Sequence, residues 1–68
     1  MLRTKRKEKH LTLLYTAKKL RISEGYVSKL ENHPGKCNPT VNLILEIAKL
    51  LEINPIIVFK FFIKDKRD

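Results

Sequence analysis

Apolar residues recur along this chain at helical spacing, and the breaks between the recurring stretches hold residues suited to cap helices. Thr12 predicts the N-cap of a helix over 13–20, in which Leu13, Ala17 and Leu20 stand at i, i+4 and i+7 on one face while Lys18 and Lys19 face water. Ser23 predicts the cap of the next helix, to about Asn32. Ile22 and Val27 are spaced as a hydrophobic staple around that cap, and Val27 and Leu30 continue the buried stripe. Only Arg21 and Ile22 separate the two helices. Upstream, residues 2–9 form a charge-dense helix that offers Leu2 and the stems of long side chains for packing, which makes it the least stable element expected.

His33, Pro34 and Gly35 break the chain, and a loop through Lys36 and Asn38 reaches Pro39 and a further cap, Thr40. The fourth helix, to about Leu51, is apolar nearly all round. Val41, Ile44, Leu45, Ala48 and Leu51 lie on one side and Leu43, Ile47 and Leu50 on another, leaving Asn42, Glu46 and Lys49 as a narrow polar strip. This is the expected central core helix. Asn54 and Pro55 read as N-cap and first residue of a fifth helix over about 55–62. Its β-branched and aromatic residues would favour a strand locally, but no second strand exists to pair with it. The expected fold is all-α, a compact five-helix bundle forming a single domain over 1–68, since 68 residues leave no room for a second.

Charge adds a direction to this bundle. Fifteen Lys and Arg stand against seven acids, while 43% apolar content with regular spacing is too much for a disordered polycation. Residues 1–36 hold ten cationic side chains against three acidic ones, whereas 37–68 hold five against four, so the polyanion-facing surface is N-terminal. On charge alone, duplex DNA, RNA and an anionic membrane surface all fit. The longest apolar run, 56–63 interrupted by Lys60, falls far short of the roughly 20 residues that span a bilayer, so no membrane association is expected. Cys37 is the only cysteine, which excludes an intrachain disulfide, and without an apolar leader the expected location is the cytoplasm.

Catalytic chemistry finds no footing. There is no glycine-rich phosphate loop, no paired acidic motif and little volume for an enclosed pocket, so no enzyme activity, cofactor or small-molecule ligand is expected. His10 and His33 lack a metal-ligand cluster, and Cys37 has no adjacent base, which leaves it a passive loop thiol. Tyr15 and Tyr26 are too few, and expected to be too buried, to form the stacking platform that single-stranded RNA requires.

The pattern that carries function is the pair of helices over 12–32 joined by a tight turn, because an α-helix fits the major groove and a partner helix braces it across the backbone. At the crossing, Ala17 permits close approach and Val27 fills the space beside it. Thr12, Lys18, Lys19, Arg21 and Lys36 are candidate phosphate contacts, and Ser28 and Lys29 candidate base or phosphate contacts. The basic run of Arg3, Lys5, Arg6, Lys7 and Lys9 reads either as a solvated helix or as a further DNA contact.

Arg6, Leu11-Thr12, Ala17, Ile22-Ser23, Tyr26-Val27-Ser28-Lys29-Leu30-Glu31, Asn38-Pro39-Thr40, Leu43, Ile47-Ala48 and Leu51 occur in an order that resembles the lambda-repressor-like, Cro/C1-type (XRE) helix-turn-helix family, from residue 2 to about 62. The resemblance implies a sequence-specific duplex-DNA-binding transcriptional regulator, a repressor, with its third helix in the major groove. It implies that Arg6 pairs with Glu31, and that Thr12, Leu13, Ser23, Glu24, Gly25, Ser28, Lys29 and Asn32 face DNA. The chain departs from the family where glutamine is common and Leu13 stands, where polar or basic readers are common and Glu24 and Gly25 stand, and where glycine is common in the turn and Arg21 stands. Glu24 can accept from a cytosine amino group but repels phosphate, Gly25 offers no side chain, and Arg21 is strained if its φ is positive. Those departures keep open a second function, a protein-interaction module of the same fold that serves as antitoxin or antagonist of another regulator. In either case Ile57, Val58, Phe59, Phe61 and Phe62 exceed what one face of a short helix buries. The expectation is a homodimer, with recognition helices about 34 Å apart on a palindromic operator, or else a monomer that tucks these side chains beneath the first helix.

Overall fold

The computed structural model describes residues 1–64, so the last four positions of the expected domain, 65–68, lie outside the described residues. Helices α1 (Leu2–Glu8), α2 (Leu13–Leu20), α3 (Glu24–Asn32), α4 (Val41–Leu51) and α5 (Pro55–Ile63) follow one another, with a single 3-10 turn, Pro34–Lys36, between α3 and α4. No strand occurs among the described residues. None of these helices is long and apolar enough to cross a membrane.

Four of the five helices start on the side chains that their sequences nominate. Thr12 Oγ1 accepts from the Tyr15 amide at 3.0 Å, Ser23 Oγ from Tyr26 at 3.0 Å, Thr40 Oγ1 from Leu43 at 3.1 Å, and Asn54 Oδ1 from Ile56 at 2.8 Å, with Pro55 at the first helical position. Each cap satisfies an amide that has no partner inside the helix, which stabilises by about 1 kcal/mol. α1 has no side-chain cap. It is held instead by its buried residues Leu2 and Arg6. At the other end of α2, Arg21 takes a left-handed conformation at φ 60° while the Ile22 amide reaches back to the Ala17 carbonyl at 3.0 Å, a Schellman closure. α4 ends the same way, with Glu52 at φ 55° and Ile53 bonded to Ala48.

The core gathers Leu2, Leu30, Ile44, Ile47, Ala48, Leu51, Val58 and Phe62 with the Cys37 thiol, whose Sγ donates to the His33 carbonyl. Ala17 and Val27 are buried where α2 crosses α3, as their sizes imply. Three expectations need correction. In α4 only Ile44, Ile47, Ala48 and Leu51 are buried, while Val41 and Leu45 stand 69% and 47% exposed. They share the i, i+4, i+8 row with Lys49, on an arc that no neighbouring helix covers. In α2, Thr16 joins Ala17 in the interior, and Leu13 and Leu20 are only half-buried. In α5, Val58 and Phe62 lie one turn apart on the inner face and fill the core of their own chain, with Phe61 set edge-on to Phe62. The surplus apolar surface is instead Ile56, Ile57, Phe59 and Ile63.

Candidate nucleic-acid interface

α3 has two opposed faces. Val27 and Leu30 turn inward, and Gly25, Ser28, Lys29 and Asn32, at i, i+3, i+4 and i+7, form one stripe on the far side. Gly25, Lys29 and Asn32 are exposed and Ser28 is half-buried. Asn32 Nδ2 donates to Ser28 Oγ at 3.1 Å, a bond that does not use the serine proton or the asparagine carbonyl oxygen. Four of the expected site residues are therefore brought together on one surface.

Of the two acids of α3, Glu24 is exposed at the edge of the stripe and Glu31 is held away in an ion pair. Arg6 grips Glu31 with two bonds, Nε to Oε2 at 2.6 Å and Nη2 to Oε1 at 3.2 Å, while Nη1 donates to the Leu11 carbonyl at 2.8 Å. The two side chains are 9% and 6% exposed. This forked pair fixes the end of α3 against α1 and hides a carboxylate that would otherwise repel phosphate. The other ion pairs among the described residues are Lys5–Glu8 and Lys9–Glu52. All three draw their cation from α1 and the residue after it, so Lys18, Arg21, Lys29 and Lys36 are exposed without an ion-pair partner among the described residues.

The remaining expected residues occupy the edges. Thr12 and Ser23 spend an oxygen lone pair on their caps and keep an O–H to donate. Leu13 is half-buried at the start of α2, so it offers an apolar edge. Glu24, exposed at the first position of α3, is placed where the helix dipole favours a carboxylate. Gly25 keeps an ordinary negative φ, and a Cβ there would meet nothing nearer than Ser23 Oγ at 3.9 Å, so neither backbone nor packing requires glycine. Lys18 and Lys19 are adjacent on α2 and so point about 100° apart. Lys36 sits in the 3-10 turn beyond α3.

Tyr15 is 44% exposed, contrary to the expectation that it is buried, because it stands outward on α2 with Lys19 Nζ over its ring at 5.6 Å. Tyr26 is the half-buried tyrosine, and burial, followed by proximity to Cys37, raises its phenol above the ordinary 10.0 and keeps it neutral. A groove of about 580 Å³ runs between the turn of the helix pair and the start of α4, bordered by Lys19, Arg21, Tyr26, Asn38, Thr40 and Glu46, and no sequence motif marks it. Among the described residues no group of three His, Cys, Asp or Glu is placed to hold a metal ion.

The helix-turn-helix family model HTH_3 matches residues 2–58, which takes in α1 to α4 and the first turn of α5. No curated protein and no solved structure matches the chain.

Proposed function

Because this chain belongs to the Cro/C1-type helix-turn-helix (XRE) family of DNA-binding regulators, we propose that it is a repressor that binds a palindromic operator as a homodimer, with α3 in the major groove. One observation carries the reading: Gly25, Ser28, Lys29 and Asn32 form a polar stripe bearing Lys29 opposite the buried side of α3. Lys29 and the Ser28–Asn32 pair meet base edges, with Glu24 at the stripe's edge as an acceptor for a cytosine amino group. Thr12, Ser23, Lys18, Arg21 and Lys36 hold the flanking phosphates, and Leu13 meets an apolar sugar or thymine edge. The dimer contact is α5, where Ile56, Phe59 and Ile63 make an exposed stripe at i, i+3 and i+7 that no other described residue covers.

Selection of bound fragments from random duplex DNA tests this reading. The expected product is an enriched inverted repeat whose half-sites lie about one helical turn, roughly 34 Å, apart. A flat, unenriched pool contradicts it and favours the interaction module, for which the acidic Glu24 and the bare Gly25 are the supporting features.

A further inference from the structure

The groove that starts between the turn of the helix pair and α4 continues along α2. A second hollow of about 400 Å³, bordered by Tyr15, Lys19, Leu20, Glu46, Lys49 and Leu50, shares Lys19, Leu20 and Glu46 with it, so the two form one open trough between α2 and α4. Its apolar lining comes from Tyr15 and Leu45, 44% and 47% exposed, and from the half-buried Leu20 and Leu50. Lys19, Arg21 and Lys49 stand on its border, exposed and in no ion pair among the described residues, and Glu46 is the acid beside them. None of Gly25, Ser28, Lys29 and Asn32 borders it, and of the side chains assigned to phosphates only Arg21 does.

We propose that this trough docks an acidic, amphipathic helix of another protein. Three cations against one acid select for Asp and Glu in the partner. The apolar lining selects for a row of large aliphatic side chains at i, i+3 or i+4 and i+7, the arrangement by which a helix seats itself in a groove. Duplex DNA is the poorer occupant, because a phosphate backbone has no apolar side chain to cover Tyr15, Leu20, Leu45 and Leu50 and no cation for Glu46. A partner seated here leaves the α3 stripe free, so the docking surface does not depend on the operator reading.

Selection from a random-peptide display library on the full chain, followed by amide-shift mapping of an enriched peptide, tests the surface. Enriched peptides should be rich in Asp and Glu with apolar residues at helical spacing, and should shift Tyr15, Lys19, Leu20, Glu46, Lys49 and Leu50. Lys19→Glu and Lys49→Glu change exposed positions and should keep the circular dichroism, while each weakens peptide binding by about two- to fivefold. A peptide with its acids exchanged for lysines should bind the double variant better than the original peptide does. No enriched ligand, ligands without an acidic bias, or shifts centred on residues 25–32 or on Ile56, Phe59 and Ile63 would overturn the proposal. So would duplex DNA whose main shifts fall on Glu46 and Lys49, since the trough would then be part of the nucleic-acid face. If no duplex binds at all, the operator reading fails while the peptide result stands, and if a variant does not fold, the shift map of the unsubstituted protein still decides.

Discussion

Arg21 and Gly25 are each at odds with their local backbone, in opposite directions. Arg21 holds φ at 60°, a conformation that costs a residue with a Cβ about 1–2 kcal/mol, whereas Gly25 sits inside a helix at ordinary φ, where glycine costs about 0.5–1 kcal/mol relative to alanine. Arg21→Gly should therefore raise stability by about 1 kcal/mol in urea denaturation while weakening duplex binding through the lost cation; a less stable variant would show that the arginine side chain holds the turn. Gly25→Ala should raise stability by about 0.5–1 kcal/mol, since the space at its Cβ is open. If Gly25→Ala gains this stability yet loses DNA affinity, the glycine is there for close approach of the bound duplex; unchanged affinity would assign the stripe's contacts to Ser28, Lys29 and Asn32 alone. The strain at Arg21 was legible because glycine is common at that point of the turn in the family that the chain resembles. The burial of Thr16, whose hydroxyl has no partner among the described residues, was not, because threonine at that spacing reads equally as a solvated position.

At the scale of elements, what the sequence made visible was local and what it hid was relational. The caps at Thr12, Ser23, Thr40 and Asn54 were legible because each acts on an amide two or three residues away. The exposure of Val41 and Leu45 was not, because it depends on which arc of α4 its neighbours cover. Likewise the residues of α5 announced an excess of apolar surface, but the division into a buried Val58–Phe62 pair and an exposed Ile56–Phe59–Ile63 stripe needed the orientation of α5 against α4. The Arg6–Glu31 contact spans 25 residues and was implied by resemblance alone. Its energetics follow from burial: Arg6→Met strands a carboxylate and should cost about 3–5 kcal/mol in chemical denaturation, while replacing Arg6 and Glu31 together with methionine should cost distinctly less. Equal losses in the single and double variants would mean that the side chains matter through packing rather than through their charges.

For the whole molecule, two surfaces divide the work. α5 presents the stripe that the dimer would use, so Phe59→Asp should convert a dimer into a monomer in sedimentation with its melting transition intact, whereas Phe62→Asp, at a position 1% exposed, should unfold the chain. A monomeric unsubstituted protein at the concentrations used for DNA binding would refute the dimer. On the other surface, Lys5, Arg6 and Lys9 take up Glu8, Glu31 and Glu52, and the cations of α2, α3 and the following turn have no ion-pair partner among the described residues. That distribution was half legible, since the excess of charge in residues 1–36 is a matter of counting, but which cations are spent on carboxylates is a matter of geometry. The central claim, that this face binds duplex DNA through its unpaired cations, is tested most directly by measuring duplex affinity as a function of salt for the unsubstituted protein and for Lys29→Met. Log affinity should fall linearly with log salt by about 0.9 for each phosphate neutralised, and Lys29→Met should reduce that slope by about one with its circular dichroism unchanged. Affinity that is undetectable or indifferent to salt, or a slope that Lys29→Met leaves untouched, would contradict it.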